Sequence, residues 1–286
     1  MVAARLPLPG PASVLFWRRT VKQINTLLVI AVVLLLLGGC QSTPSRPGGG
    51  VVDLEDSTGE MGEAVQRTGA GDIYVRLAVA YLNEGRLDVA LQKAKTALQV
   101  EPGNAEAHNV VALIYGRLGE KGLAERHYRE GLNIRPRNSY LRNAYGTFLC
   151  QEGRFDEADQ QFSQALENPL YQTPEVALSN AGICARRIPD DSRAERYLRR
   201  ALEANPRFAP ALIQMGQLSY DNGDHLMARG YLQRYQAVAQ ATAASLWLGI
   251  RTERELGDRN AVASYSMALR NNYPDSREAQ LLRESE

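Results

Sequence analysis

Between residues 71 and 275 the chain repeats itself every 34 residues. Ala90, Ala124 and Ala158 share that spacing, as do Gly85, Gly119 and Gly153, and Pro102 and Pro136. A fixed period of roughly this length restricts a chain to stacked supersecondary units. Each unit buries too little apolar surface alone and must share a core with its neighbours. No strand-period runs separate the apolar stretches, so each unit holds two helices and mixed α/β folds are excluded. Small residues at the eighth, twentieth and twenty-seventh positions let helices approach. Large ones at the eleventh and twenty-fourth fill the space between. Glycine at mid-unit supplies a turn that a side chain would resist. Proline near the end stops the second helix, because it cannot continue the hydrogen-bond ladder.

This period and pattern resemble the tetratricopeptide repeat, a helix–turn–helix unit. The expected fold is all-α, a right-handed solenoid of six such units. They span 71–104, 105–138, 139–174, 175–208, 209–241 and 242–275, with a C-terminal tail at 276–286. Several residues depart from the pattern. Ile188-Pro189-Asp190-Asp191 replaces the glycine turn of the fourth unit. The segment 168–174 carries two extra residues between the third and fourth. Gln240 stands where the fifth unit should have proline, and the sixth has Thr252 at its eleventh position and Gly257 one place late.

The N-terminus gives an address. Arg18, Arg19 and Lys22 precede an apolar run from Leu27 to Leu37, which leads into Gly38-Gly39-Cys40. This is the order of a secretion signal, and the run is shorter than the roughly 20 residues that span a bilayer. Cysteine directly after small residues resembles the lipobox of bacterial lipoproteins. That resemblance implies a signal peptide at 1–39 and a covalent lipid on Cys40, with no other cofactor. Gln41, in place of aspartate, favours by the same resemblance the outer membrane of a Gram-negative bacterium, with the protein facing the periplasm. Residues 40–70 read as the lipidated N-terminus and a flexible linker, in which the stretch Ser42–Gly50, with Pro44, Pro47 and Gly48-Gly49-Gly50, has nothing from which to build a core. About 30 such residues reach roughly 30 Å.

Removing residues 1–39 leaves 29 Lys and Arg against 32 Asp and Glu, a net charge of −3 with histidine neutral. That mixed, mildly acidic balance excludes nucleic acid, which demands clustered basic charge. The membrane link is therefore the lipid.

A narrower resemblance lies in Asn143–Ala185. It reads Asn143-Ala144-Tyr145-Gly146 running to Cys150, then the bend Asn168-Pro169-Leu170-Tyr171, then Asn180-Ala181-Gly182-Ile183-Cys184. This is similar to the PilF/PilW type IV pilus biogenesis lipoproteins, which carry a lipobox, a linker and six repeats. The resemblance implies a pilotin role: binding the type IV pilus secretin and helping it reach the outer membrane and form multimers. The proline turn at Pro189 departs from the usual family pattern. The other reading is a scaffold for a different envelope machine, such as barrel assembly or cell-wall synthesis.

Cys150 and Cys184 lie on the first helices of adjacent units. A disulfide forms only if both side chains point into the seam; otherwise they are two buried thiols. The inner face of the first-helix layer is the usual binding surface of such solenoids. It is expected to be lined by positions two, five, nine and twelve, including Val75, Val79, Leu82, Asn109, Leu113, Asn143 and Thr147. An apolar partner segment is the expected occupant; a cap folded back from residues 51–70 is the alternative cover for the first unit. His108, His127 and His225 are scattered, and none is expected to bind metal. Asp221-Asn222-Gly223-Asp224 falls at an inter-helix turn and lacks the twelve-residue calcium pattern. No nucleophile, base and acid share a plausible spacing. The expected activity is binding without catalysis, with no small-molecule substrate, by a monomer.

Overall fold

The computed structural model describes residues 69–188 and 190–285. The signal peptide, Cys40 and nearly all of the linker lie outside the described residues. Thirteen helices and no strands are present among them. Six antiparallel hairpins follow in chain order: α1 (Ala70–Asn83) with α2 (Leu87–Val100), α3 (Ala105–Arg117) with α4 (Lys121–Ile134), and α5 (Ser139–Gln151) with α6 (Phe155–Leu166). Then come α7 (Pro174–Ala185) with α8 (Asp191–Ala204), α9 (Ala209–Asp221) with α10 (His225–Gln236), and α11 (Ala243–Leu256) with α12 (Arg259–Asn272). A single helix, α13 (Arg277–Glu284), ends the chain. Odd-numbered helices α1–α11 are the first, or A, helices, and each packs beside the next A helix.

The chain punctuates these elements with side-chain chemistry. Asn104 and Asn138, the last residues of the first two units, cap the following A helices by accepting from Ala107 and Leu141 N–H at 2.9 and 3.0 Å. Such caps satisfy N–H groups that have no partner within the helix. Five of the six hairpin turns close through a left-handed glycine, Gly85, Gly119, Gly153, Gly223 and Gly257. Late placement of Gly257 is absorbed by one more helical residue, Leu256, after which the same turn forms at φ 73°. In the fourth hairpin Asp190 does the capping instead, accepting from Arg193 N–H at 2.9 Å. Where the fifth unit lacks its proline, α10 ends at Gln236, and a reciprocal Thr242–Ser245 capping box restarts the chain as α11.

Packing follows the small-against-large pattern. Gly146 lies under Phe162; a Cβ there would sit 2.9 Å from the ring and 3.2 Å from the Ala158 carbonyl oxygen. Gly182 lies under Leu198 and Gly249 under Tyr265 in the same way. Ala112, Tyr128, Tyr145, Leu149 and Phe162 continue one apolar core through the second and third hairpins.

The sixth hairpin substitutes polar chemistry where a large apolar residue is expected. Thr252 is fully buried and donates to the Leu248 carbonyl at 2.8 Å. Next to it, buried Glu253 is held by the Arg229 guanidinium of α10, with Nε to Oε1 at 2.9 Å. The extra residues between α6 and α7 form a tight bend in which Asn168 accepts from Leu170 N–H at 3.0 Å. The bend buries Tyr171 against Tyr140, ring edge to ring face at 5.0 Å.

Residues 276–286, beyond the 34-residue pattern, carry α13. Ser276 caps it, and Ala279 and Leu282 are fully buried with Leu246, Ile250 and Leu269. This helix stands where the A helix of a seventh unit would pack, so the last apolar face is covered.

The close approach at Gly146 is testable. Gly146→Leu is expected to lower stability by about 1–3 kcal/mol through overpacking, seen as a fall in melting temperature. Gly122→Ala, in open space on α4, should raise it by about 0.4–1 kcal/mol. Equal melting curves for the two variants would contradict the register.

Candidate partner-binding groove

The A helices form one layer, with one face against the second, or B, helices and the other turned away. The expected groove residues divide on that outer face. Val79, Leu113, Asn143 and Thr147 are half-buried and reachable. Val75, Leu82 and Asn109 are not: they are 6%, 3% and 2% exposed. These three correct the sequence reading. Val75 and Leu82 belong to the core shared by α1, α2 and α3, packed with Ala107, Val110 and Val111. Asn109 is enclosed and donates to Glu106 Oε1 at 3.2 Å. The side-by-side approach of α1 and α3 turns these positions into the seam. Burial also pushes the Glu106 carboxyl above its ordinary range, a shift that the Asn109 bond and Arg135 oppose.

Further along, the face is polar, and here the sequence reading missed residues. Asn180 of α7 donates to Asn143 Oδ1 of α5 at 3.0 Å. Arg186 reaches Gln214 at 2.8 Å and Asp221 at 2.6 Å. Arg251 donates to Gln217 at 3.0 Å and lies over the Tyr220 ring at 4.5 Å. The face thus runs from an apolar stretch, Val79 and Leu113, to a polar one on α7, α9 and α11. Asn180 had a legible signal, since it sits one residue after Ser179, the fifth position of its unit.

Arginine side chains tie consecutive A helices at their C-terminal ends. Arg117 of α3 donates to the Leu82 carbonyl at 3.1 Å, and Arg187, just past α7, to the Cys150 carbonyl at 2.9 Å. Both carbonyls already accept from a turn glycine, Gly85 and Gly153 N–H at 3.1 Å, so the guanidinium adds a second bond at the negative end of the helix dipole. Beside the second of these contacts, Cys150 and Cys184 are joined by a disulfide, with Cα atoms 5.8 Å apart.

One histidine reading is corrected. His108 and His127, 19 residues apart, meet across the second hairpin with Nδ1 atoms 3.0 Å apart. Their separation pairs an A helix with its B helix, a contact that spacing along a single helix does not reveal. One imidazole must accept, so at least one ring is neutral. Burial, then His108, Arg126 and Lys95, hold the His127 pKa below its ordinary value, against Glu130. No group of three or more metal-binding side chains exists among the described residues.

Two predictions follow from these contacts. Removing the disulfide as Cys150→Ala plus Cys184→Ala should cost about 3–4 kcal/mol by loop-closure entropy for a crosslink of this span. Urea unfolding of the wild type with and without reductant should show the same loss. His127 binds its proton less readily folded than unfolded. Stability should therefore be full above about pH 6.5 and decline as pH falls below it. Unfolding free energies at pH 7.5 and 5.5 should differ less in His127→Gln than in the wild type.

A family model for the tetratricopeptide repeat matches residues 105–138, the second hairpin. The type IV pilus assembly protein PilF of Pseudomonas aeruginosa is 31% identical over 214 residues, which cover 75% of this chain and 85% of that protein. A solved structure of P. aeruginosa PilF aligns with a TM-score of 0.67 at 30% identity, over 76% of this chain and 98% of that one. The crystal structure of PilW, described as a widely conserved type IV pilus biogenesis factor, aligns with a TM-score of 0.69 at 32% identity, over 76% and 99%. With this identity across nearly the whole of those solved chains, and the same stacked helical hairpins, the chain belongs to the PilF/PilW family of type IV pilus biogenesis proteins.

Proposed function

We propose that this protein is an outer-membrane lipoprotein, anchored through lipid on Cys40, that binds the type IV pilus secretin and promotes its localisation and multimer assembly. Family membership supports a role in pilus biogenesis. The sequence Leu37-Gly38-Gly39-Cys40 supports the anchor. The observation that carries the binding role is the half-buried row Val79, Leu113 and Thr147 on adjacent A helices. It presents apolar surface with polar groups alongside, the composition that accepts a partner segment. Binding is the whole activity: the protein escorts the secretin subunit and holds it at the membrane where rings assemble. The periplasm-facing groove and the covalent lipid divide those tasks.

The test must use residues that are reachable. A glutamate at Val75 or Leu82 would place a charge in the core and unfold the first hairpin. Val79→Glu plus Leu113→Glu changes the open row. The double variant should keep its helical circular dichroism and bind the secretin about ten-fold or more weakly, as loss of a central apolar anchor does. Secretin multimers in isolated outer membranes should fall in parallel. A folded double variant that supports normal secretin rings would remove the proposal.

A further inference from the structure

Ile183 of α7 is one of the large apolar side chains that stand exposed, at 36%. Its register sets it apart. In each A helix the reachable groove residue directly follows the small residue at the eighth position of its unit. Val79 follows Ala78, Leu113 follows Ala112, Thr147 follows Gly146, and Ile183 follows Gly182. Ile183 therefore carries the row of the groove onto α7. Between Leu113 and Ile183, the Thr147 hydroxyl donates to the Asn143 carbonyl of its own helix at 2.9 Å. Its hydrogen is satisfied there, and the side chain adds a methyl group to the row. On α9 the same register brings Gln217 after Gly216, and there the row turns polar.

Beyond Ile183 the face holds two guanidinium groups and one carboxylate between them. Arg186, at the end of α7, pairs with Asp221 Oδ2 of α9 at 2.6 Å. The other oxygen of Asp221 accepts from Gln217 Nε2 at 2.6 Å. Gln217 Oε1 in turn accepts from Arg251 of α11 at 3.0 Å. Arg251, only partly buried, thus meets an amide oxygen and, at 4.5 Å, the face of the Tyr220 ring. The ion pairs of this region are Arg186 with Asp221, and Arg229 with Glu253 and Asp258; Arg251 belongs to none of them. Exposed Glu255, a turn further along α11, makes no ion pair with it either. Neutral partners hold this guanidinium in place and leave its charge uncompensated. A guanidinium so held matches a carboxylate with two parallel hydrogen bonds. Arginine is also among the side chains that dominate binding at interfaces.

We propose that the groove continues from Leu113 through Ile183 to Arg251 and takes a secretin segment whose apolar side chains lie on the row and whose carboxylate meets Arg251, an inference that rests on the secretin-binding role proposed above. Neighbouring A helices pack side by side, at about 8–10 Å for helices in contact. Ile183 and Arg251, two A helices apart, are then roughly 16–20 Å from each other. An extended segment rises about 3.3 Å per residue, so its acidic residue follows its last apolar anchor by roughly five or six positions. The charge gives the groove a direction. An apolar row alone accepts a segment either way round, whereas a single guanidinium at the α11 end fixes which end of the partner lies there.

The test measures binding of the purified full chain to purified secretin in detergent, at low and at high salt. Ile183→Glu should keep the wild-type melting curve, because the side chain is exposed, and should weaken binding about ten-fold. Arg251→Gln should weaken it about ten-fold at low salt and less at high salt, where an ion pair is already screened. Arg251→Lys, which keeps the charge, should retain most of the wild-type salt dependence. A wild-type chain that does not bind the secretin, or a folded Val79→Glu plus Leu113→Glu variant that binds it normally, removes the secretin-binding role and this extension with it. Weakening in that double variant, together with normal binding by Ile183→Glu or by a folded Arg251→Gln, overturns the extension alone. Equal loss in Arg251→Gln and Arg251→Lys, with the wild-type salt dependence kept in both, also overturns it, since Arg251 would then serve only the α9–α11 seam.

Discussion

In the third, fourth and sixth hairpins an A-helix glycine sits under a large B-helix side chain, at the same sixteen-residue separation each time. Gly146 meets Phe162, Gly182 meets Leu198 and Gly249 meets Tyr265. Close packing leaves no room for a further carbon at these points. The contact fixes how near each B helix lies to its A helix. It thereby fixes where the next A helix can rest. Gly216 repeats the arrangement more loosely, with Leu232 Cγ 3.7 Å from the ideal Cβ position. The first hairpin departs from it, since Ala78 and Ala94 place small residues at both positions.

That periodic contact is why so much of the fold was legible in sequence. The alternation of small and large residues over 34 positions sets the hairpins, and glycine and asparagine set their turns and caps. What the period could not show is whatever lies outside it. Helix α13 has no partner helix and so no repeat to betray it, although Ser276 with Ala279 and Leu282 is a capped helix signature. The groove was only half legible for a related reason. Position within a unit says which way a residue points from its own helix. It does not say how closely the next A helix approaches. Val75, Leu82 and Asn109 disappear into that approach, whereas Val79, Leu113, Asn143 and Thr147 stay reachable. The departures at Thr252 and Gly257 leave the sixth hairpin intact: a buried hydroxyl bond, an Arg229–Glu253 pair and one extra helical residue account for both.

Successive A-helix seams are joined by different chemistry. The α1–α3 seam is apolar, closed at its end by Arg117 on the Leu82 carbonyl. The α5–α7 seam holds the disulfide, the Asn143–Asn180 bond and Arg187 on the Cys150 carbonyl. The α7–α9 seam relies on Arg186 with Gln214 and Asp221, and the α9–α11 seam on Arg251 with Gln217. Exposed ion pairs alone contribute little. Guanidinium contacts to helix-end carbonyls and side-chain amides add direction, which restrains sliding of one A helix along the next.

A groove built this way has a covalent restraint at its centre and shorter-range ties on either side. The disulfide ties α5 directly to α7, so the two helices cannot separate at that seam while the crosslink is intact. Under the proposed function, a partner segment laid across Leu113, Asn143 and Thr147 would meet a surface already held in position, and ordering that surface would cost little on association. The same reasoning limits what a partner can gain from the first hairpin. There the apolar row on the outer face is short, because Val75 and Leu82 are committed to the core. Reachable apolar contact must therefore extend from Val79 across to Leu113, spanning two units.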